Sequence, residues 1–200
     1  MIKAIFFDLG NVLVKEGFAS GIREYEKNNS LAEGSLYRAM HDFPYWKDFS
    51  LGNISEDTYF SEVIKNFKGE LDVEKLRKTI FKNFIQNVKL VEYIKALKKK
   101  YKIGIISNNP KEWFEYFFNS FGWDGIFNIV AVSGNLHIRK PAKEIFDYAL
   151  AQAEISGEEA IYVDDRPDRV EGAILAGMKV LIFEETKSLI KNLDNIEVKS

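Results

Sequence analysis

Five short apolar runs limit what this chain can fold into: Ile2 to Phe7, Lys102 to Ile106, Ile129 to Val132, Ala160 to Val163 and Lys179 to Phe183. Each is rich in β-branched or aromatic residues, and helical patterns occupy the stretches between them. Near-continuous apolar runs alternating with helices predict an α/β fold, a parallel sheet covered on both faces. Trp113, Phe114, Phe117, Phe118 and Phe121 recur at helical spacing and form a stripe suited to packing on that sheet. Further helices are expected at Leu90 to Lys100, Ala142 to Ala153 and Pro167 to Ala176. The last has Pro at its first position and Gly177 after its end.

One long stretch breaks the alternation, from about Lys15 to about Asn87. Tyr59, Phe60, Val63, Ile64 and Phe67 lie at helical spacing, as do Leu76, Ile80, Phe81 and Phe84, so the stretch reads as helical. Ser55 before Glu56 and Asp57 reads as an N-cap followed by first-turn acids. The expected organisation is a core of residues 1–14 and 88–200 with a helical unit of residues 15–87 inserted into it. A formal net charge of −2 and a pI near 5.8 offer no bulk attraction to nucleic acid or to an anionic membrane. Small molecules are therefore the expected partners, and the chain is expected to act as a monomer or homodimer. Without cysteine there is no disulfide, no thiol nucleophile and no zinc site of cysteine type; only His41 and His137 offer imidazole. Any metal must be held by oxygen. The first apolar stretch is interrupted by Lys3 and Asp8, and no segment reaches the ~18 apolar residues of a spanning helix. A cytoplasmic location is expected.

Polar residues follow the apolar runs at four places. Asp8 ends the first run and precedes Leu9-Gly10-Asn11-Val12, which puts a carboxylate at a strand's carboxyl end, where open α/β sheets hold ligands. A carboxylate there can attack a phosphoryl group to form an acyl phosphate, provided cations offset the meeting of two anions. Asp164 and Asp165 follow Ala160-Ile161-Tyr162-Val163, with Asp168 three residues beyond. Adjacent acids repel unless neutralised, and Mg²⁺, which favours oxygen ligands, suits them; a surface turn or helix cap is the plainer alternative. Ser107-Asn108 follows Ile103-Gly104-Ile105-Ile106 and precedes a helix near Pro110, where a hydroxyl and amide N–H groups can hold an anion, although Ser-Asn is also a common cap. Lys140 precedes Pro141, which restricts the chain entering the next helix and could aim the ammonium at the site.

The order Asp8, Ser107-Asn108, Lys140, Asp164-Asp165 resembles the four signature motifs of the haloacid dehalogenase-like (HAD) superfamily, most of whose members are magnesium-dependent phosphatases. The resemblance covers Ile2 to about Phe183, and the insert is similar to the family's cap domain in position and helicity only. It implies a Rossmann-like three-layer parallel-sheet core with an inserted all-helical cap domain. It also implies that Asp8 is the nucleophile, that Ser107, Asn108 and Lys140 bind phosphate, and that Lys140 serves catalysis. Mg²⁺ would be held by Asp8, Asp165 and the main-chain carbonyl of Gly10, with Asp164 behind them or as a further ligand. The implied function is hydrolysis of a small phosphorylated metabolite, such as a sugar phosphate, through an aspartyl-phosphate.

One residue departs from the pattern. Most HAD phosphatases carry a second aspartate two residues after the nucleophile as general acid and base, and here that residue is Gly10. A missing positioned acid/base costs about 10² to 10⁴ in rate. Asp-Leu-Gly-Asn-Val nonetheless resembles a branch that includes sugar-phosphate phosphatases, so slow turnover favouring good leaving groups is expected. Asp164, Asp168, His137 or a cap residue are candidates for a substitute base. Arg38, Tyr45, Trp46 and Lys47 are candidates for substrate contacts from the cap. A 2-haloacid dehalogenase would also use an aspartate nucleophile without the second aspartate, but Asp164 and Asp165 would repel its carboxylate substrate. A catalytically weak phospholigand-binding protein is the remaining alternative, favoured by Gly10.

Overall fold

The computed structural model describes residues 1–67, 69–196 and 198; residues 68, 197, 199 and 200, which fall within the two expected units, lie outside this set. The chain begins with β1 (Ala4–Phe7) and a two-residue strand, β2 (Val14–Lys15). Five helices follow: α1 (Phe18–Asn28), α2 (Ser35–His41), α3 (Pro44–Ser50), α4 (Glu56–Asn66) and α5 (Val73–Lys82). β3 (Ile85–Gln86) then pairs antiparallel with β2, so the two ends of the helical insert leave the core side by side. The chain continues through α6 (Val88–Leu97), β4 (Lys102–Ser107), α7 (Lys111–Ser120), β5 (Ile129–Val132), the short α8 (Ser133–Leu136) and α9 (Lys143–Ala153). It closes with β6 (Ala160–Asp164), α10 (Glu171–Leu175), β7 (Lys179–Ile182) and α11 (Thr186–Asn195).

The main sheet has the order β5-β4-β1-β6-β7, with every neighbouring pair parallel. All five apolar runs are therefore strands of one sheet, and the doubly covered α/β architecture expected from them is the one observed. Alternation along the strands sorts the core into two faces. Ile5, Phe7, Ile103, Ile105, Ile161 and Val163 pack with α6, the aromatic stripe of α7 and the insert. Ala4, Phe6, Ile106, Ala160 and Tyr162 pack with α9 and α10. β1 is central, and later strands add on both of its sides, so the crevice at its carboxyl end is the topological switch point of the sheet.

Ser55 caps α4, its hydroxyl accepting from the Thr58 N–H, and Asp72 caps α5 in the same way. Pro167 to Ala176 is not one helix. Pro167–Arg169 forms a single 3-10 turn, and α10 starts only after Val170, whose side chain enters the second core face. The insert rests on α7 and α8. Trp113 donates its indole N–H to Glu56 at 2.7 Å, and Ser133 Oγ donates to the Ser50 carbonyl at 2.5 Å. Gly52 passes so close to α8, at φ +71°, that a Cβ there would sit 2.2 Å from the Gly134 carbonyl oxygen.

Candidate active site

Strand register assembles the centre. Phe6 lies opposite Tyr162 on parallel strands, so Asp8 and Asp164, two residues further on, project from the same face. Lys140 enters between them from the turn preceding α9 and is 2% exposed. All three of its ammonium protons are used: Nζ donates to Asp8 Oδ1 at 2.7 Å, to Asp164 Oδ2 at 2.7 Å and to Tyr162 Oη at 2.6 Å. Tyr162 in turn donates its hydroxyl to Asp164. The other oxygen of Asp164 accepts from the Arg166 N–H at 2.9 Å. Asn108 holds the other end of the lysine, its amide oxygen accepting from the Lys140 N–H at 2.8 Å and its amide nitrogen donating to the Lys140 carbonyl at 3.0 Å.

Burial pushes the Asp8 carboxyl up to about 6; the Lys140 charge opposes this and the Asp164 charge adds to it. Burial also raises Asp165, against the hydrogen bond it accepts from Asn11 at 3.0 Å. Tyr162 is held well above its ordinary value by burial and by the charges of Asp8 and Asp164, so it stays a neutral donor. Asp8, Asp164 and Asp165 each bring a carboxylate oxygen within 4.8 Å of the others, an all-oxygen set that fits a hard divalent cation. The bonds to Lys140 and Asn11 leave Asp8 Oδ2 and Asp165 Oδ1 outside these side-chain contacts. Asp164 is fully buried and also bonded to Lys140, Tyr162 and the Arg166 N–H.

A cavity of about 250 Å³ opens above this centre. Asp8, Gly10, Ser107, Asn108, Lys140, Asp164 and Asp165 all border it, so every residue singled out for phosphate or metal from the sequence lies on one cavity. The insert closes it with Glu16, Phe18, Tyr37, His41 and Trp46. Of the four insert residues expected to contact substrate, Trp46 borders the cavity, its ring 4.7 Å from that of Phe18; Arg38, Tyr45 and Lys47 are not on the cavity wall. Neither are His137 and Asp168. His137 is exposed in a left-handed turn at φ 56°, and Asp168 is exposed and accepts from Arg166 Nε at 3.0 Å and Nη2 at 2.9 Å.

A Cβ at Gly10 would meet Glu16 Cγ at 3.8 Å and Asp8 Oδ2 at 3.9 Å, ordinary contact distances. Glu16 thus flanks the place where the family's second aspartate stands. Its carboxylate accepts from the Phe18 N–H at 2.7 Å, and burial raises its proton affinity. Sequence reasoning did not single out Glu16, Asn11, Arg139, Arg169 or the hydroxyl of Tyr162. For Tyr162 there was a signal, a phenol in a run otherwise made of aliphatic residues.

A family model described as haloacid dehalogenase-like hydrolase matches residues 47–183. A D-ribitol-5-phosphate phosphatase from Bacteroides thetaiotaomicron is 25% identical over 173 residues, covering 82% of this chain and 84% of its own. A drimenol cyclase from Aspergillus calidoustus is 25% identical over 206 residues; that match takes in 98% of this chain, which spans 37% of the cyclase. Among solved structures, a HAD family enzyme from Bacteroides thetaiotaomicron in complex with magnesium and inorganic phosphate superposes with a TM-score of 0.78 at 16% identity, covering 94% of this chain and 99% of that one.

Proposed function

The chain belongs to the haloacid dehalogenase-like hydrolases, and from that premise we propose that it is a magnesium-dependent phosphatase of small phosphorylated metabolites that works through an aspartyl-phosphate on Asp8. The observation that carries this reading is the lysine bonded at once to Asp8, Asp164 and Tyr162 beside Asp165. Lys140 engages one oxygen of Asp8, which turns the other, Oδ2, toward the cavity as the attacking atom. Attack forms the bond from Oδ2 to phosphorus and breaks the bond from phosphorus to the leaving oxygen; water then cleaves the acyl phosphate and regenerates the carboxylate. Ser107 and the main-chain N–H groups before α7 hold the phosphoryl oxygens, and Asn108 acts by fixing Lys140.

Mg²⁺, held by Asp8, Asp165 and the Gly10 carbonyl with Asp164 behind them, would neutralise charge on the phosphoryl group when bound. With no side chain at Gly10, Glu16 is the carboxyl that borders the leaving-group side of Asp8. Residues 1–14 and 88–200 form the catalytic core in this reading, and residues 15–87 a helical cap that closes the cavity with Phe18, Tyr37, His41 and Trp46. The similarity to a ribitol-phosphate phosphatase favours polyol or sugar phosphates as substrates.

The test is hydrolysis of p-nitrophenyl phosphate by the purified protein, with Mg²⁺ and with excess chelator, beside Asp8→Asn. Activity that needs both Mg²⁺ and Asp8, with the phosphoryl group trapped on Asp8 by rapid acid quench, is the expected result. Turnover by Asp8→Asn equal to that of the parent would overturn the reading.

A further inference from the structure

Two arginines reach the cavity without a part in the chemistry above. Arg139 is the neighbour of Lys140, but its guanidinium runs to the insert instead, donating to Ser50 Oγ at 3.1 Å. Arg169 borders the same cavity with its side chain 24% exposed and approaches Asp168 only at 3.7 Å. Arg139 is half-buried, and among the described residues no carboxylate pairs with it; the charged group acting on it is Arg169. Burial and that like charge together lower its proton affinity. Arg166, which borders the same cavity, contrasts with it, its Nε and Nη2 both donating to Asp168.

An unmatched, half-buried guanidinium beside a second one is costly in the empty protein and becomes favourable when an anion arrives. The transferred phosphoryl group is not that anion in the reading above, because Ser107, the main-chain N–H groups before α7 and the metal receive it beside Asp8. The same cavity is therefore bordered both by the acids Asp8, Asp164 and Asp165 and by Arg139 and Arg169.

We infer that Arg139 and Arg169 form a second anion subsite, and that the preferred substrates are phosphomonoesters whose leaving group carries a further carboxylate or phosphate. Planar guanidinium groups match either group with paired hydrogen bonds. The subsite would select by charge while Trp46 and Phe18 cover the carbon skeleton. The inference rests on the phosphatase reading for its substrate, though not for its binding.

Three esters with one leaving oxygen and different far ends test it: propane-1,3-diol monophosphate, 3-phosphonooxypropanoate and propane-1,3-diol bisphosphate. The expected kcat/KM for the parent protein is at least about tenfold higher for the two anionic ends than for the neutral one, mainly through KM. Arg139→Gln is expected to shrink that preference about tenfold, and Arg139→Lys to restore part of it. Arg169→Gln serves as the second variant should Arg139→Gln not fold. No preference in the parent, or an equal loss on all three esters in Arg139→Gln, would overturn the subsite, the latter because Arg139 would then serve the transferred phosphoryl group or only the strap to Ser50. If no ester turns over, the same ratios read as Kd by calorimetry decide the subsite, while hydrolysis of p-nitrophenyl phosphate decides the phosphatase reading separately.

Discussion

Gly10→Asp restores a carboxylate to the one position where this chain departs from its family, and the structure sets both the room for it and the size of its effect. The first atom of the new side chain falls 3.9 Å from Asp8 Oδ2 and 3.8 Å from Glu16 Cγ, so the Cβ is admitted at ordinary contact distances. Gly10 is not among the glycines with positive φ, so aspartate meets no backbone strain there. Its two acidic neighbours repel its charge by up to ~4 kcal/mol each at 4 Å and an effective dielectric of about 20. Repulsion of that kind raises its pKa, as a proton donor requires. A well-placed general acid contributes about 10² to 10⁴, or about 2.7 to 5.4 kcal/mol at 1.36 kcal/mol per decade. Allowing about half of that for an unrefined position, kcat/KM for an alkyl phosphate should rise by about tenfold to a hundredfold. The same change should alter p-nitrophenyl phosphate hydrolysis by less than about threefold, because nitrophenolate leaves without a proton. The assay is kcat/KM against leaving-group pKa for parent and variant, and the slope should flatten in the variant. A parallel shift, or no gain with the alkyl ester in a folded variant, would refute the account of a missing acid.

Three further outcomes follow from the geometry. Tyr162→Phe removes the phenol bonded to both Lys140 and Asp164, and should destabilise the protein by about 1.5–3 kcal/mol in urea unfolding and lower kcat/KM about tenfold; a stability change under ~0.5 kcal/mol would count against it. In the metal-free protein Asp8 holds its proton up to about 6, so Mg²⁺ must displace it at lower pH; calorimetric affinity should be level above pH 7 and fall about tenfold per unit below about 6, and affinity unchanged at pH 5 would refute this. Gly52→Ala meets both the left-handed backbone and the Gly134 carbonyl, and should cost about 2–4 kcal/mol in thermal unfolding, against a null expectation for an ordinary surface alanine.

The centre was legible because its parts stand where apolar runs stop. Asp8, Ser107 and Asp164 each follow an uninterrupted stretch of buried residues, and a polar group at such a boundary lies at a strand end by construction. The supports were less legible. A tyrosine inside a strand usually means core, and only the arrival of Lys140 from 22 residues away in sequence turns the hydroxyl of Tyr162 into part of the site. Helical spacing in the insert tells which residues share a face, but not which face meets the core, which is why Trp46 reaches the cavity while Tyr45 and Lys47 do not. The two-residue strands β2 and β3 are too short to show any period. Arg139 sits beside a residue that was singled out, yet its direction depends on Ser50, 89 positions away.

Lys140 is gripped at its backbone by Asn108 and at its tip by Asp8, Tyr162 and Asp164. A free lysine side chain carries about 2 kcal/mol of rotamer entropy. Here that freedom disappears when β1, β6 and the entry to α9 come together, long before any ligand is present. In the phosphatase reading, an incoming phosphate would find Asp8 already held by an ammonium that is still, and its affinity would be spared the cost of ordering one. The disorder is surrendered by the folding equilibrium instead, which ties the competence of the reaction centre to the integrity of three elements far apart in the sequence.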